Sequence, residues 1–451
     1  MTPFGAPMKE QFLIDPSYRN LNHGSFGTQP RDVQSTQQAL QVLSEQKTDV
    51  FIRQTQPQLL TEARTAIADY LNVPRNTVVF VKNATTGVNT ILHNLIPAFA
   101  SSDVILYFDT VYGAVERGLC WLTESRPVQL HKIHYTLPKR HDAIVQLFVD
   151  AIRDVRGSGR TPRLAVFDTI VSNPGVRFPF EDLVRLCRQE AVLSLVDAAH
   201  GVGHIPLDLG VLQPDFLTSN CHKWLYTPRS SAILYVAPQH HAAIRSTLPA
   251  SWGFIPHPGA PAGVPRPGPP PSGSTAFETL FEHVATTDDT AYLCVPAALR
   301  FRRDVCGGEA AIQEYLERLA NEGAEVVARS LRTEVMTEPG LREGERSALR
   351  ACGMANVRLP FVIDETRSGR SDSEGGDATV TAAQADRIAS LIRDSLLRDF
   401  DTFVPVFRHG DYLWTRISAQ VYLDRSDFEW LGRVLSDVCT QAYSTAVAVA
   451  E

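Results

Sequence analysis

The chain has 451 residues, 44% of them hydrophobic and 21% charged, with a net charge of −7. That length exceeds one simple core and predicts two domains, or one large α/β body with a smaller one. The acidic balance, with no basic run or basic–aromatic interleaving, argues against a nucleic-acid surface, and no stretch approaches the roughly 20 apolar residues of a membrane span.

The first residues carry neither an apolar signal core nor an Arg-rich amphipathic pattern, so a cytoplasmic protein is expected. Seven cysteines (Cys120, Cys187, Cys221, Cys294, Cys306, Cys352 and Cys439) are scattered and form no C-x-x-C, which fits reduced thiols. The thirteen histidines show no metal spacing, and no metal is expected.

In chain order, residues 31–72 read as helical, with apolar positions at Leu40, Leu43, Val50, Leu59, Leu60, Ile67 and Leu71. Thr77 to Val81 is a β-branched run and predicts a strand. Asn83-Ala84-Thr85-Thr86-Gly87 predicts a turn, and a helix follows. Strands are predicted at Val104–Tyr107, Leu164–Phe167, Leu193–Val196, Asp215–Thr218 and Ala232–Val236, with helices between them after Tyr112 and through residues 181–190. Alternation of this kind argues for a mostly parallel sheet covered on both faces. Residues 255–274 are too rich in Pro and Gly for a helix or central strand and predict a long loop. A tail domain follows. It has a helix over Glu309–Arg332, a strand region from Ala355, a polar Gly-rich stretch at 364–377, a strand at Leu413–Ser418 and a closing helix over Phe428–Ala448.

Several residues suit one chemistry. Lys223, in Asn220-Cys221-His222-Lys223-Trp224, is an amine in a turn among small and polar neighbours. Asp197 ends the apolar run Leu193–Val196, where the carboxyl end of a parallel strand faces a crevice. His200 lies three residues on. An amine, a carboxylate and an imidazole are what an enzyme needs to hold pyridoxal phosphate: an imine on lysine, a protonated ring nitrogen and a contact to the phenolic oxygen. Thr85 and Thr86, at a helix start, suit its phosphate. Arg416, in an apolar strand, suits a substrate carboxylate. Each residue alone also has a plain reading: a surface lysine, a turn aspartate, a turn histidine, a helix cap, an edge-strand charge.

Taken together, Asn83–Gly87, Asp197-Ala198-Ala199-His200-Gly201, Cys221-His222-Lys223-Trp224-Leu225, Thr286-Thr287-Asp288 and Arg416-Ile417-Ser418 resemble the class V aminotransferase group of fold-type I pyridoxal-phosphate enzymes. They stand in that family's order across nearly the whole chain. Leu21-Asn22-His23-Gly24-Ser25-Phe26-Gly27 resembles the signature of the isopenicillin N epimerase-like branch. Its fungal members include the ergothioneine-pathway carbon–sulfur lyase and the pyridoxal-phosphate cyclase of loline alkaloid assembly.

The resemblance implies an α/β, aspartate aminotransferase-like fold, with a mostly parallel seven-stranded sheet in the large domain and a smaller C-terminal α+β domain. The implied divisions are an N-terminal segment over the active site (1–30), a large cofactor-binding domain (31–298) and a small domain (299–451). It also implies roles. Lys223 is the imine lysine and acid/base, Asp197 the partner of the ring nitrogen, and His200 the neighbour of the phenolic oxygen. Thr85, Thr86, Asn220 and His222 hold phosphate, and Thr286 is lent to the phosphate by the second subunit of a homodimer. Asn173 contacts the cofactor beside its ring, and Arg416 clamps the substrate carboxylate. His23, Ser25 and Phe26 help shape the substrate site, with Trp252 and Phe254 as further pocket aromatics.

The chain departs from cysteine desulfurases in two ways. Tyr112 stands where they stack a histidine, and 364–377 holds no cysteine for a sulfur relay. Cys352 comes too early for that loop and reads as structural. The expected reaction is therefore cleavage of the Cβ–S bond of a cysteine conjugate or its sulfoxide to give pyruvate and ammonia, with Tyr112 protonating the departing sulfur. The alternative is a carbon–carbon bond-forming cyclase of secondary metabolism, or an amino-acid epimerase. A catalytically silent binding protein is disfavoured because the lysine, aspartate and arginine all persist.

Overall fold

The computed structural model describes residues 1–342, 344–365 and 377–448, so most of the expected polar stretch at 364–377 lies outside the described residues. Seven strands form the large sheet: β1 (Val78–Val81), β2 (Asp103–Phe108), β3 (Gln129–Ile133), β4 (Thr161–Asp168), β5 (Leu193–Asp197), β6 (Phe216–Ser219) and β7 (Ala232–Val236). Their spatial order is β1-β7-β6-β5-β4-β2-β3. β7 is antiparallel to both of its neighbours, and the other pairings are parallel.

Apart from the edge strand β3, the strands are buried on both faces, and alternate residues feed two separate cores. Phe80, Leu106, Phe167, Val196 and Leu217 join the larger core, which continues into the C-terminal domain. Val79, Ile105, Val166, Leu195 and Phe216 join a second core under the helices Ala84–Leu95 and Gly113–Ser125.

The smaller domain holds a four-stranded sheet of β8 (Met354–Ile363), β9 (Ala378–Val380), β10 (Val406–His409) and β11 (Tyr412–Ser418), in the order β10-β11-β8-β9. Helices Glu309–Leu331, Ala382–Asp399 and Arg425–Ala448 pack against it and each other. Among the described residues no helix is long and apolar enough to cross a membrane.

Three local readings change. The predicted turn at 83–87 is the first turn of the helix Ala84–Leu95, because Asn83 caps it by accepting from the Thr86 amide at 2.8 Å. The predicted helix over 31–72 is broken at Lys47, whose backbone leaves the helical region (φ −147°, ψ 66°), and resumes through a π-helical turn at Phe51–Thr55 into the helix Gln56–Tyr70. β3, with its polar Gln129, His131 and Lys132, lies at the sheet edge and gives no clean apolar run.

Candidate active site

Parallel β4 and β5 end in register, which sets Asp168 beside Asp197 at the carboxyl edge of the sheet. Both are buried. Burial pushes both carboxyls up in pKa, Asp168 further because Asp197 faces it, while the Lys223 charge pulls both down. Asp197 also accepts the Ala199 amide at 2.9 Å. Asp168 was not among the residues expected from sequence. The signal for it was the one used for Asp197, an apolar run (Leu164 to Phe167) that ends on aspartate.

Just past β6, Asn220 leads into the single helical turn Cys221–Trp224 that carries Lys223. The amine stands 3.2 Å from Nε2 of His200. Burial first, and then the Arg416 charge, lower its pKa to about 8, against the opposite pull of Asp197 and Asp168. The turn is tied down from several sides. The Asn220 side chain accepts the Ala84 amide at 2.8 Å, fastening the lysine turn to the start of the next-door helix. The Lys223 carbonyl accepts from His23 Nε2 at 2.5 Å, and the hydroxyl of Tyr422 bonds the other ring nitrogen at 2.9 Å. Arg302, fully buried, donates to the Trp224 carbonyl at 2.7 Å and to the Gly203 carbonyl at 2.9 Å while pairing with Glu309. Gly27 closes against the turn at φ 65°; a Cβ there would lie 1.8 Å from the His222 carbonyl oxygen.

Arg416 comes from the other domain, on β11 between β10 and β8, and it is buried. The edge-strand alternative for it is thereby removed. Its guanidinium donates to the Ser172 carbonyl at 2.6 Å, to Asn22 Oδ1 at 2.9 Å and to the Ser25 hydroxyl at 2.8 Å. Its Nε finds no acceptor, and among the described residues no carboxylate pairs with it. Burial lowers its pKa to about 10. Gly175 lies against the arginine stem, where a Cβ would come within 2.6 Å of Arg416 Cδ, and Asn356 holds both polar groups of Gly175.

The other expected residues fall as follows. Thr85 and Thr86 are half-buried in the first helical turn, where the Thr86 amide and hydroxyl both donate to Asn83 Oδ1, at 2.8 and 3.1 Å. His222 bonds the Ser231 carbonyl through Nδ1 at 2.9 Å, and burial lowers its pKa to about 4. Tyr112 is 49% exposed at the head of the helix Gly113–Ser125. Asn173 and Thr286 are exposed, and neither side chain is brought to the lysine by a described contact. Phe26 is 67% and Trp252 88% exposed, and Phe254 is half-buried. His23 and Ser25 point differently from a substrate-facing pair: His23 spends both ring nitrogens on protein, and Ser25 spends its hydroxyl on Arg416 and Asn22. Cys352 is buried, with its thiol pushed up to about 11.

The profile of the family "Aminotransferase class-V" matches residues 34–252. The chain is 42% identical to the L-cysteine desulfhydrase-like protein lolT1 of Epichloe uncinata, over 97% of this chain and 96% of that one. The chain belongs to the class-V aminotransferase family. It is also 27% identical to the hercynylcysteine sulfoxide lyase of Schizosaccharomyces pombe, over 97% of this chain and 98% of that one. Its fold matches the cystine C–S lyase C-DES, solved with its product cysteine persulfide, at a TM-score of 0.71 and 18% identity, covering 96% of this chain and 99% of that one.

As a class-V enzyme the chain uses pyridoxal phosphate, and the residues present fit that group. A buried pair of carboxylates needs a proton or cation between them, which a pyridinium N–H provides. The Thr85 amide and hydroxyl at a helix start suit a phosphate. The amine beside His200 is neutral above pH about 8, the form that reacts with an aldehyde.

Proposed function

We propose that this enzyme draws a proton from the α-carbon of an amino acid held at Arg416 and then expels a β-sulfur substituent, as a lyase for a cysteine conjugate or its sulfoxide such as hercynylcysteine sulfoxide. Arg416 carries this reading: it is a buried guanidinium with an idle Nε and no acidic partner among the described residues. An uncompensated buried cation costs several kcal/mol. An α-carboxylate offers the two oxygens that a guanidinium fits.

Bound pyridoxal phosphate supplies the electron sink for the charge left at the α-carbon. Lys223 accepts the α-proton. Asp197, backed by Asp168, would keep the ring nitrogen protonated, and His200 would serve the phenolic oxygen. Thr85, Thr86, Asn220 and His222 would hold the phosphate, Asn173 would contact the cofactor, and Tyr112 would protonate the departing sulfur. The Cβ–S bond breaks with its electron pair on sulfur, and the unsaturated amino acid left behind hydrolyses to pyruvate and ammonia. A sulfur relay is disfavoured, because 364–377 holds no cysteine and the Cys352 thiol is buried and strongly protonated. We assign the working form as a homodimer, with Thr286 of the exposed 285–288 segment completing the phosphate site of the second subunit.

A second reading keeps the same residues and follows from the sequence resemblance to the loline-assembly cyclase. In it the same charge at the α-carbon forms a carbon–carbon bond with an electrophile in the substrate and closes a ring, or the centre is epimerised. One assay separates the two. Enzyme loaded with cofactor is offered S-substituted cysteine sulfoxides, and pyruvate and ammonia are measured; equal amounts of both are expected. No pyruvate, together with turnover of an amino acid that carries an internal iminium or carbonyl, would overturn the lyase in favour of the cyclase.

A further inference from the structure

Lys223 has an imidazole on its amine, and the protonation pattern of that imidazole is set by a residue outside the expected site. The Trp224 indole Nε1 lies 3.2 Å from His200 Nδ1. An indole nitrogen only donates, so Nδ1 of His200 must accept and its proton must sit on Nε2, the nitrogen 3.2 Å from the Lys223 amine. The indole is itself fixed. It stacks on His204 with ring centres 3.6 Å apart and 11° between planes. His204 is pinned in turn, because the Gly353 amide donates to its Nε2 at 2.6 Å, which leaves Nδ1–H to donate to the His200 carbonyl at 2.9 Å. Trp224, His200 and His204 are all buried.

We propose that Trp224 is a positioning residue that locks His200 as its Nε2–H form, so that Lys223 faces a donor and is held as the free amine with its lone pair directed at His200. The proposal rests on the reading that Lys223 carries the cofactor. An N–H aimed at the amine bonds its lone pair and repels its ammonium form, whereas the other tautomer would accept from the ammonium and favour the charge. The groups facing Lys223 are Asp168 on β4, Asp197 on β5, His200, and Arg416 on β11. Burial first, and then the facing Lys223, Arg416 and His204, disfavour protonation of His200. The ring therefore stays neutral, and its tautomer is the variable that Trp224 controls.

Trp224→Phe keeps an aromatic ring against His204 and removes the N–H. The pH dependence of cofactor uptake by the cofactor-free protein, followed by absorbance, should shift its midpoint up by about one unit relative to wild type. Lost packing alone would lower the melting temperature and leave the midpoint in place, which would overturn the proposal. Nitrogen-15 spectra of histidine-labelled wild-type protein provide a measurement independent of the variant. His200 should show a protonated Nε2 and a bare Nδ1; a proton on Nδ1 overturns the assignment even if Trp224→Phe does not fold. Borohydride fixation of cofactor to wild-type Lys223 checks the underlying reading separately. Its failure would remove that reading, while an unshifted midpoint with fixation intact would remove this inference only.

Discussion

Burial, and then the nearby Arg416 charge, set the state of the Lys223 amine. The Arg416 charge follows burial as the second cause that lowers the Lys223 pKa to about 8. Lys223 is thus half neutral near pH 8, and cofactor uptake should rise as pH increases through that value. Removing the neighbouring charge by Arg416→Met relieves the repulsion, so the midpoint should move to higher pH; spectrophotometric uptake curves read the shift directly. The same reasoning assigns a benefit to substrate binding. On the proposed function, a substrate carboxylate at Arg416 would offset the arginine's field and make Lys223 more basic as it takes the α-proton. Arg416→Lys should raise KM by about 100-fold and lower kcat less, because the two parallel hydrogen bonds of a guanidinium are lost. Lys223→Ala should cost at least about 10³-fold in turnover, measured as product release from cofactor-loaded protein.

At the scale of elements, the lysine turn is one helical turn long and cannot hold its own shape. It is held by the N-terminal segment through His23 and Gly27, by the cap residue Asn220, and by Arg302 from the helix Val295–Asp304. Arg302→Ala leaves the carbonyls of Trp224 and Gly203 without their donor and Glu309 without its ion-pair partner, with only the Tyr70 hydroxyl remaining on that carboxylate. It should cost about 3 kcal/mol of stability, read from chemical denaturation. Gly27→Ala should displace the turn and weaken cofactor uptake, since the Cβ has no room. These supports explain what the sequence showed and what it hid. Lys223, Asp197 and Arg416 were legible because a charged side chain in or at the end of an apolar run is conspicuous. The roles of Asn22, His23, Ser25, Asn356 and Arg302 depend on contacts between residues far apart in the chain, and local pattern carries no trace of such pairing. Asp168 was overlooked although its pattern matched that of Asp197.

At the scale of the molecule, the β-branched runs revealed the parallel sheet, because strands buried on both faces read as continuous apolar stretches. They did not reveal β3 at the edge, nor which strands reverse, since pairing order is a long-range property. The two sheets meet where Arg416 on β11 faces the 172–175 turn that follows β4, so Lys223 and Arg416 come from different domains. Relative movement of the domains would therefore change the spacing between Lys223 and Arg416. If Thr286 completes a neighbour's phosphate site, the protein should sediment as a dimer, and Thr286→Ala should weaken cofactor retention without changing the dimer.

The central claim is that Lys223 carries pyridoxal phosphate and moves the α-proton. The most direct measurement is borohydride reduction of the cofactor-loaded protein followed by peptide mass spectrometry. The expected result is the pyridoxyl-phosphate mass on the peptide that contains Lys223 and its loss in Lys223→Ala. Modification of a different lysine, or none in protein that has been offered cofactor, would contradict the account.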